Sequence, residues 1–118
     1  MQLGDTFILA SGHLWMVLSD PSAHAGSFVF ANLTSDARRA GTDCELNCGD
    51  HPWVTKKCYV NFGDAKEVTP LHEAAMVPFI ATKIITKHFP LEPAVLHRIV
   101  AAAKVSKALA QNLKKYFL

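Results

Sequence analysis

Apolar residues come in short dense blocks over the first three quarters of the chain and take helical spacing only near its end. Residues 6–10 and 13–19 are two β-prone runs parted by the tight-turn pair Ser11-Gly12, and neither alternates cleanly. Such runs suit strands covered on both faces. Asp20-Pro21-Ser22 opens a turn that Gly26 closes. Residues 27–34 predict a third strand with Phe28, Phe30 and Asn32 on one face and Val29, Ala31 and Leu33 on the other, because successive strand side chains alternate. The polar stretch 35–43, with Arg38, Arg39 and Gly41, reads as an exposed loop.

Residues 44–48 predict a short strand that puts Cys44, Leu46 and Cys48 on one face, and Gly49-Asp50-His51-Pro52 makes a sharp corner after it. Residues 58–62 predict a fifth strand, with Cys58, Val60 and Phe62 opposite Tyr59 and Asn61, ended by Gly63-Asp64. Residues 68–77 are compatible with a short helical turn after Pro70, and the β-branched stretch 80–88 with a return to the sheet. Pro93 suits a first helical turn, and Leu96, Ile99, Val100 and Ala103 follow at helical spacing. Ser106 is placed to cap a second helix that buries Leu109, Leu113 and Phe117. The expected fold is therefore α+β. One domain spans 1–118, with a small barrel of five to six strands over 1–88 and C-terminal helices over 89–118 packed on it.

Composition agrees with a packed domain: of 118 residues half are hydrophobic and 19% charged. Nothing resembles a basic leader followed by an apolar stretch, and the apolar runs 14–18 and 100–103 fall far short of the ~20 residues that span a bilayer. No membrane association is expected. Three cysteines form an odd set that fits a reducing compartment, so a cytoplasmic location is expected. The net charge of +2 is unevenly placed. From Lys83 onward seven bases face Glu92 alone, whereas the earlier part holds five bases and nine acids. A basic end of this kind can steer a protein to nucleic acid or to an acidic partner.

Three clusters could carry chemistry. Cys44, Cys48, His51 and Cys58 are four residues of zinc-ligand type in a short stretch. Their spacing matches no specific zinc motif, and core packing of the cysteines is the favoured reading; no metal or other cofactor is assigned. The corner Gly49-Asp50-His51-Pro52-Trp53, followed by Lys56-Lys57, offers a general acid or base in His51 with Asp50 to orient it. It also offers two cations for phosphate and an aromatic ring on which a base could stack. The third cluster is His13 with Asn32, Thr34 and Ser35: if strands two and three form a hairpin, His13 and Thr34 meet at one end.

Gly4-Asp5-Thr6-Phe7, the run Gly12-His13-Leu14-Trp15-Met16-Val17-Leu18-Ser19 and Asn32-Leu33-Thr34-Ser35 together resemble the opening of PemK/MazF-type toxins. The resemblance covers about the first third of the chain. It implies an SH3-like barrel, metal-independent cleavage of single-stranded RNA, a protein antitoxin as partner and a homodimer. Thr34 stands where that family has its active-site threonine, and His13 stands where it has an arginine. The departure matters because an arginine is always charged and a histidine only when protonated.

The expected function is RNA binding, with endoribonuclease activity of a toxin–antitoxin type. His13, Thr34 and His51 are its expected catalytic residues, and Lys56, Lys57, Arg38 and Trp53 its RNA-binding residues. Two rival expectations are a non-catalytic interaction module that uses the basic C-terminal helices and a small zinc-stabilised domain.

Overall fold

Strand β3, Phe28–Thr34, is buried along its whole length and organises the molecule around it. The structure is a computed structural model that describes residues 1–118 apart from the side chain of Arg39. It is α+β. A curled antiparallel sheet of six strands has the order β4-β5-β3-β2-β1-β6, with β1 at Thr6–Ile8, β2 at Leu14–Val17, β4 at Glu45–Leu46, β5 at Cys58–Val68 and β6 at Thr86–His88. The helices are α1 (Ala37–Ala40), α2 (Pro70–Ala81) and α3 (Pro93–Val105), followed by a 3-10 helix at Gln111–Phe117. The sheet bends as a half-barrel whose end strands β4 and β6 do not pair with each other among the described residues.

The two faces of β3 feed two cores, as its alternation predicts. Val29, Ala31 and Leu33 enter the larger core with Leu14, Met16, Val60 and Phe62. That core is closed by Val95, Ile99 and Ala103 of α3 and by Leu109, Leu113 and Phe117. Phe28 and Phe30 enter a smaller core with Phe7, Val17, Val68 and Ile85, which α2 covers through Met76 and Ile80. Burial of large aliphatic and aromatic side chains on both faces is the main stabilising term here.

The ends of the elements differ from the sequence expectations in instructive ways. β5 does not stop at Gly63-Asp64 but runs on to Val68. Its pairing with β3 is interrupted between Phe30 and Asn32 and resumes with Phe30 opposite Lys66. Gly63 sits at that irregularity, where the lack of a side chain lets the strand bend and continue. Pro70 opens a helix of twelve residues, not a short turn. Thr69 caps it by accepting the His72 backbone N–H, while the His72 ring accepts the Thr69 N–H. Ile80 and Ala81 complete that helix, so the expected strand over 80–88 shrinks to Thr86–His88. The turn between them uses Lys83 at φ 62. Residues 35–43, expected as a loop, include the single turn α1, capped by the Asp36 carboxylate.

Ser106 does not cap the expected second helix. It ends α3 and accepts the backbone N–H groups of Ala108 and Leu109 in the turn that follows, while the 3-10 helix Gln111–Phe117 starts after Ala110 with no side-chain cap. The ammonium of Lys114 reaches back to the carbonyls of Ala103 and Lys104 at 2.9 and 3.3 Å, a cation at the negative end of α3. No helix is long and apolar enough to cross a membrane.

Candidate functional site

β2 pairs with β3 in the register Trp15 opposite Asn32, Met16 opposite Ala31 and Val17 opposite Phe30. Carried two residues further, that register sets His13 opposite Thr34 at one rim of the sheet. His13 is held there by its ring Nδ1, which donates to the carbonyl of Leu33 at 3.1 Å. A carbonyl can only accept, so this bond selects the tautomer that carries its proton on Nδ1 and leaves the Nε2 lone pair as an acceptor. Thr34 is buried. Its Oγ1 accepts the Asp36 backbone N–H at 3.2 Å, and its own hydroxyl proton can still donate.

A cleft of about 410 Å³ opens at this rim. His13, Thr34 and Ser35 line one side, and Trp53, Thr55 and Lys56 come from the loop between β4 and β5. Ser11 and Gly12 of the β1–β2 turn also border it. The Trp53 ring is half-buried and backed by the larger core, so its orientation is set by packing. The site thus combines an imidazole acceptor, a hydroxyl donor, a flat aromatic ring and a cation.

Four residues expected at a site therefore share one cleft, and three lie elsewhere. His51 is buried, with 3% of its surface exposed, and both ring nitrogens are engaged. Nδ1 accepts the Trp53 backbone N–H at 3.0 Å, so Nε2 carries the proton and donates to the Phe89 carbonyl at 2.6 Å. Thr6 donates to the same carbonyl. Burial pushes the pKa of His51 down, with the neighbouring His88 adding to the effect; the two rings lie 5.0 Å apart. Lys57 faces Glu45 at 3.5 Å. Arg38 faces Asp36 at 3.5 Å on an almost fully exposed side chain.

Asp50 does not orient His51. It pairs with Arg98 of α3 at 2.9 Å and accepts the Asn47 backbone N–H, and the Arg98 bond holds its carboxyl below the usual range. Asn32 also leaves the rim, donating to Asp64 at 3.2 Å.

The zinc arrangement does not form. Among the described residues no group of three or more His, Cys, Asp or Glu side chains is placed to hold a metal. Cys44 and Cys58 are buried in the larger core, where burial pushes their thiols up. Cys48 is exposed and does not share their face, because β4 ends at Leu46.

Ser11 and Thr55 were not singled out from the sequence. Thr55 carried a weak signal, as the neighbour of Lys56 and two residues from Trp53. No protein-family model matches the chain, and no curated protein matches it. The fold class and the contents of the cleft are what a functional reading has to rest on.

Proposed function

We propose that the rim cleft binds single-stranded RNA and that the protein is a metal-independent, cytoplasmic endoribonuclease of the PemK/MazF toxin type, held in check by a protein antitoxin. The observation that carries this reading is the presence of His13, Thr34, Trp53 and Lys56 in one cleft. An aromatic face offers stacking that any base can use, and a cation beside it suits the phosphate that follows.

In the reaction, Nε2 of His13 takes the proton of a ribose 2′-OH as general base. O2′ forms its bond to the adjacent phosphorus, the bond from phosphorus to O5′ breaks, and O5′ is protonated by water, leaving a 2′,3′-cyclic phosphate. The hydroxyl of Thr34 and the ammonium of Lys56 stabilise the charge that gathers on the phosphoryl oxygens. His51 has no part in proton transfer, since both its nitrogens are committed inside the fold. Its contribution is to hold the main chain beneath Trp53.

The test is cleavage of single-stranded RNA by the purified protein in EDTA, beside His13→Ala and Thr34→Ala. Cleavage that persists in EDTA, yields cyclic phosphate ends and is lost in His13→Ala supports the reading. Wild-type protein that neither cuts nor binds RNA overturns it.

A further inference from the structure

A second cleft, of about 610 Å³, adjoins the first. Thr55 borders both, so a strand that leaves the rim cleft over Thr55 enters the second directly. The two are chemically unlike. Lys56 gives the first a cation, whereas the charged side chains at the second are the carboxylates of Asp50 and Glu92. Asp50 is spent on Arg98. Glu92 stands at the start of α3 without capping it, and among the described residues no cation pairs with it. A phosphate finds no partner here, but a base with donors along its edge does.

Phe89, on the wall of the same cleft, supplies a flat surface. Its side chain is 67% exposed, yet its main chain is pinned by three others. His88 Nδ1 accepts its N–H at 2.9 Å, and Thr6 and His51 both donate to its carbonyl. The His88 ring also lies edge-on to the Phe89 ring, 5.6 Å between centroids. An aromatic ring left in water on so fixed a main chain is a stacking platform, because little further ordering is needed when a base lands on it.

We propose that the second cleft is a base-reading subsite of the RNA path, selective for guanine, where Phe89 stacks on the base and Glu92 accepts from its Watson–Crick edge. The proposal rests on the reading of the rim cleft as an RNA site. Guanine presents N1–H and the 2-amino group side by side, two parallel donors for the two oxygens of one carboxylate. Adenine and cytosine set one amino group beside a ring nitrogen whose lone pair opposes the second oxygen. Uracil has a single N–H between two carbonyls. Single-stranded RNA leaves this edge free to be read.

Binding of short RNAs to the full chain tests the subsite. Each RNA is about nine nucleotides long, uridine throughout except for a central guanine, inosine, adenine or cytosine. At one salt concentration the guanine RNA is expected to bind about 5–150-fold more tightly than the adenine or cytosine one. Inosine lacks the 2-amino group and is expected to lose much of that preference. Glu92→Ala is expected to bring the guanine RNA down to the others, and Phe89→Ala to weaken all of them by about tenfold. Both positions are exposed, and circular dichroism checks that the variants fold as wild type does. Wild type that binds every RNA equally well overturns the subsite and leaves the rim cleft as an RNA site. A guanine preference that survives Glu92→Ala, or affinities untouched by Phe89→Ala, overturn it as well. Wild type that binds none of the RNAs overturns the RNA reading itself, and the subsite with it.

Discussion

His51 and Phe89, 38 positions apart, are joined by a 2.6 Å hydrogen bond from the ring Nε2–H to the backbone carbonyl. The same ring takes the backbone N–H of Trp53 on its other nitrogen. One neutral imidazole thus ties the loop that carries a cleft residue to the chain segment leaving β6. Removing it leaves the Trp53 N–H without its partner in a buried place. His51→Ala is expected to lower stability by about 2–4 kcal/mol in urea unfolding.

The same bond predicts a pH dependence. Both nitrogens are in use, and burial depresses the pKa of His51 below its ordinary value. The unfolded chain therefore binds a proton near pH 6.5 that the native protein refuses. The stabilisation is fully present above that pH. It is lost as the pH falls toward the folded pKa, by at most about 1.4 kcal/mol per pH unit. Unfolding measured from pH 8 to 5 is expected to show this loss in wild type and a shallower one in His51→Gln. Equal slopes would mean that other groups account for the acid sensitivity.

Lys56 and Lys57 are neighbours with different surroundings. Lys56 lines the cleft, while Lys57 faces Glu45. Lys56→Ala is expected to weaken RNA binding and to reduce the dependence of log K on log salt by about 1. Lys57→Ala is expected to leave both nearly unchanged. Titrations at several salt concentrations distinguish them, and equal effects would show that the phosphate path does not run through the cleft. In the cleavage assay His13→Ala is expected to cost about 10²–10⁴-fold in rate.

The basic C-terminal end proves less free than its charge suggests. Lys87 faces Asp5 at 3.7 Å, Arg98 is paired with Asp50 and Lys114 caps α3. Two of the bases after Lys83 thus pair with acids that come earlier in the chain, and a third is spent on main-chain carbonyls. Lys114→Met keeps the apolar stem of the side chain and removes the donor. It is expected to cost about 1 kcal/mol in thermal or urea unfolding, and a neutral result would remove the cap from the account.

The rim site was legible in the sequence to the extent that it depends on neighbours. A hairpin across the Pro21–Ala23 turn brings His13 to Thr34, and the alternation of β3 marks which of its side chains enter which core. The fate of His51 was not legible, because its partner is a main-chain carbonyl far along the chain and a carbonyl has no sequence signature. Gly63 misleads for a related reason. The residue that ends many strands also permits a bend, and only pairing with β3 on both sides decides between them. Pro78 obscured α2 in a similar way, since a proline inside a helix counts locally against helix.

β1 pairs with β6 as well as with β2, with Thr6 opposite His88 and Ile8 opposite Thr86, and the larger core is completed by Leu113 and Phe117. The first strand cannot gain its second neighbour until residues 86–88 have been made, nor the core its last wall until residues 113–117 have. At the usual ~5–20 residues per second, the nascent protein spends several seconds with a β edge and a half-filled core exposed. Its core closes late in synthesis, and a polypeptide that stops before Leu113 is left with one wall of the larger core missing.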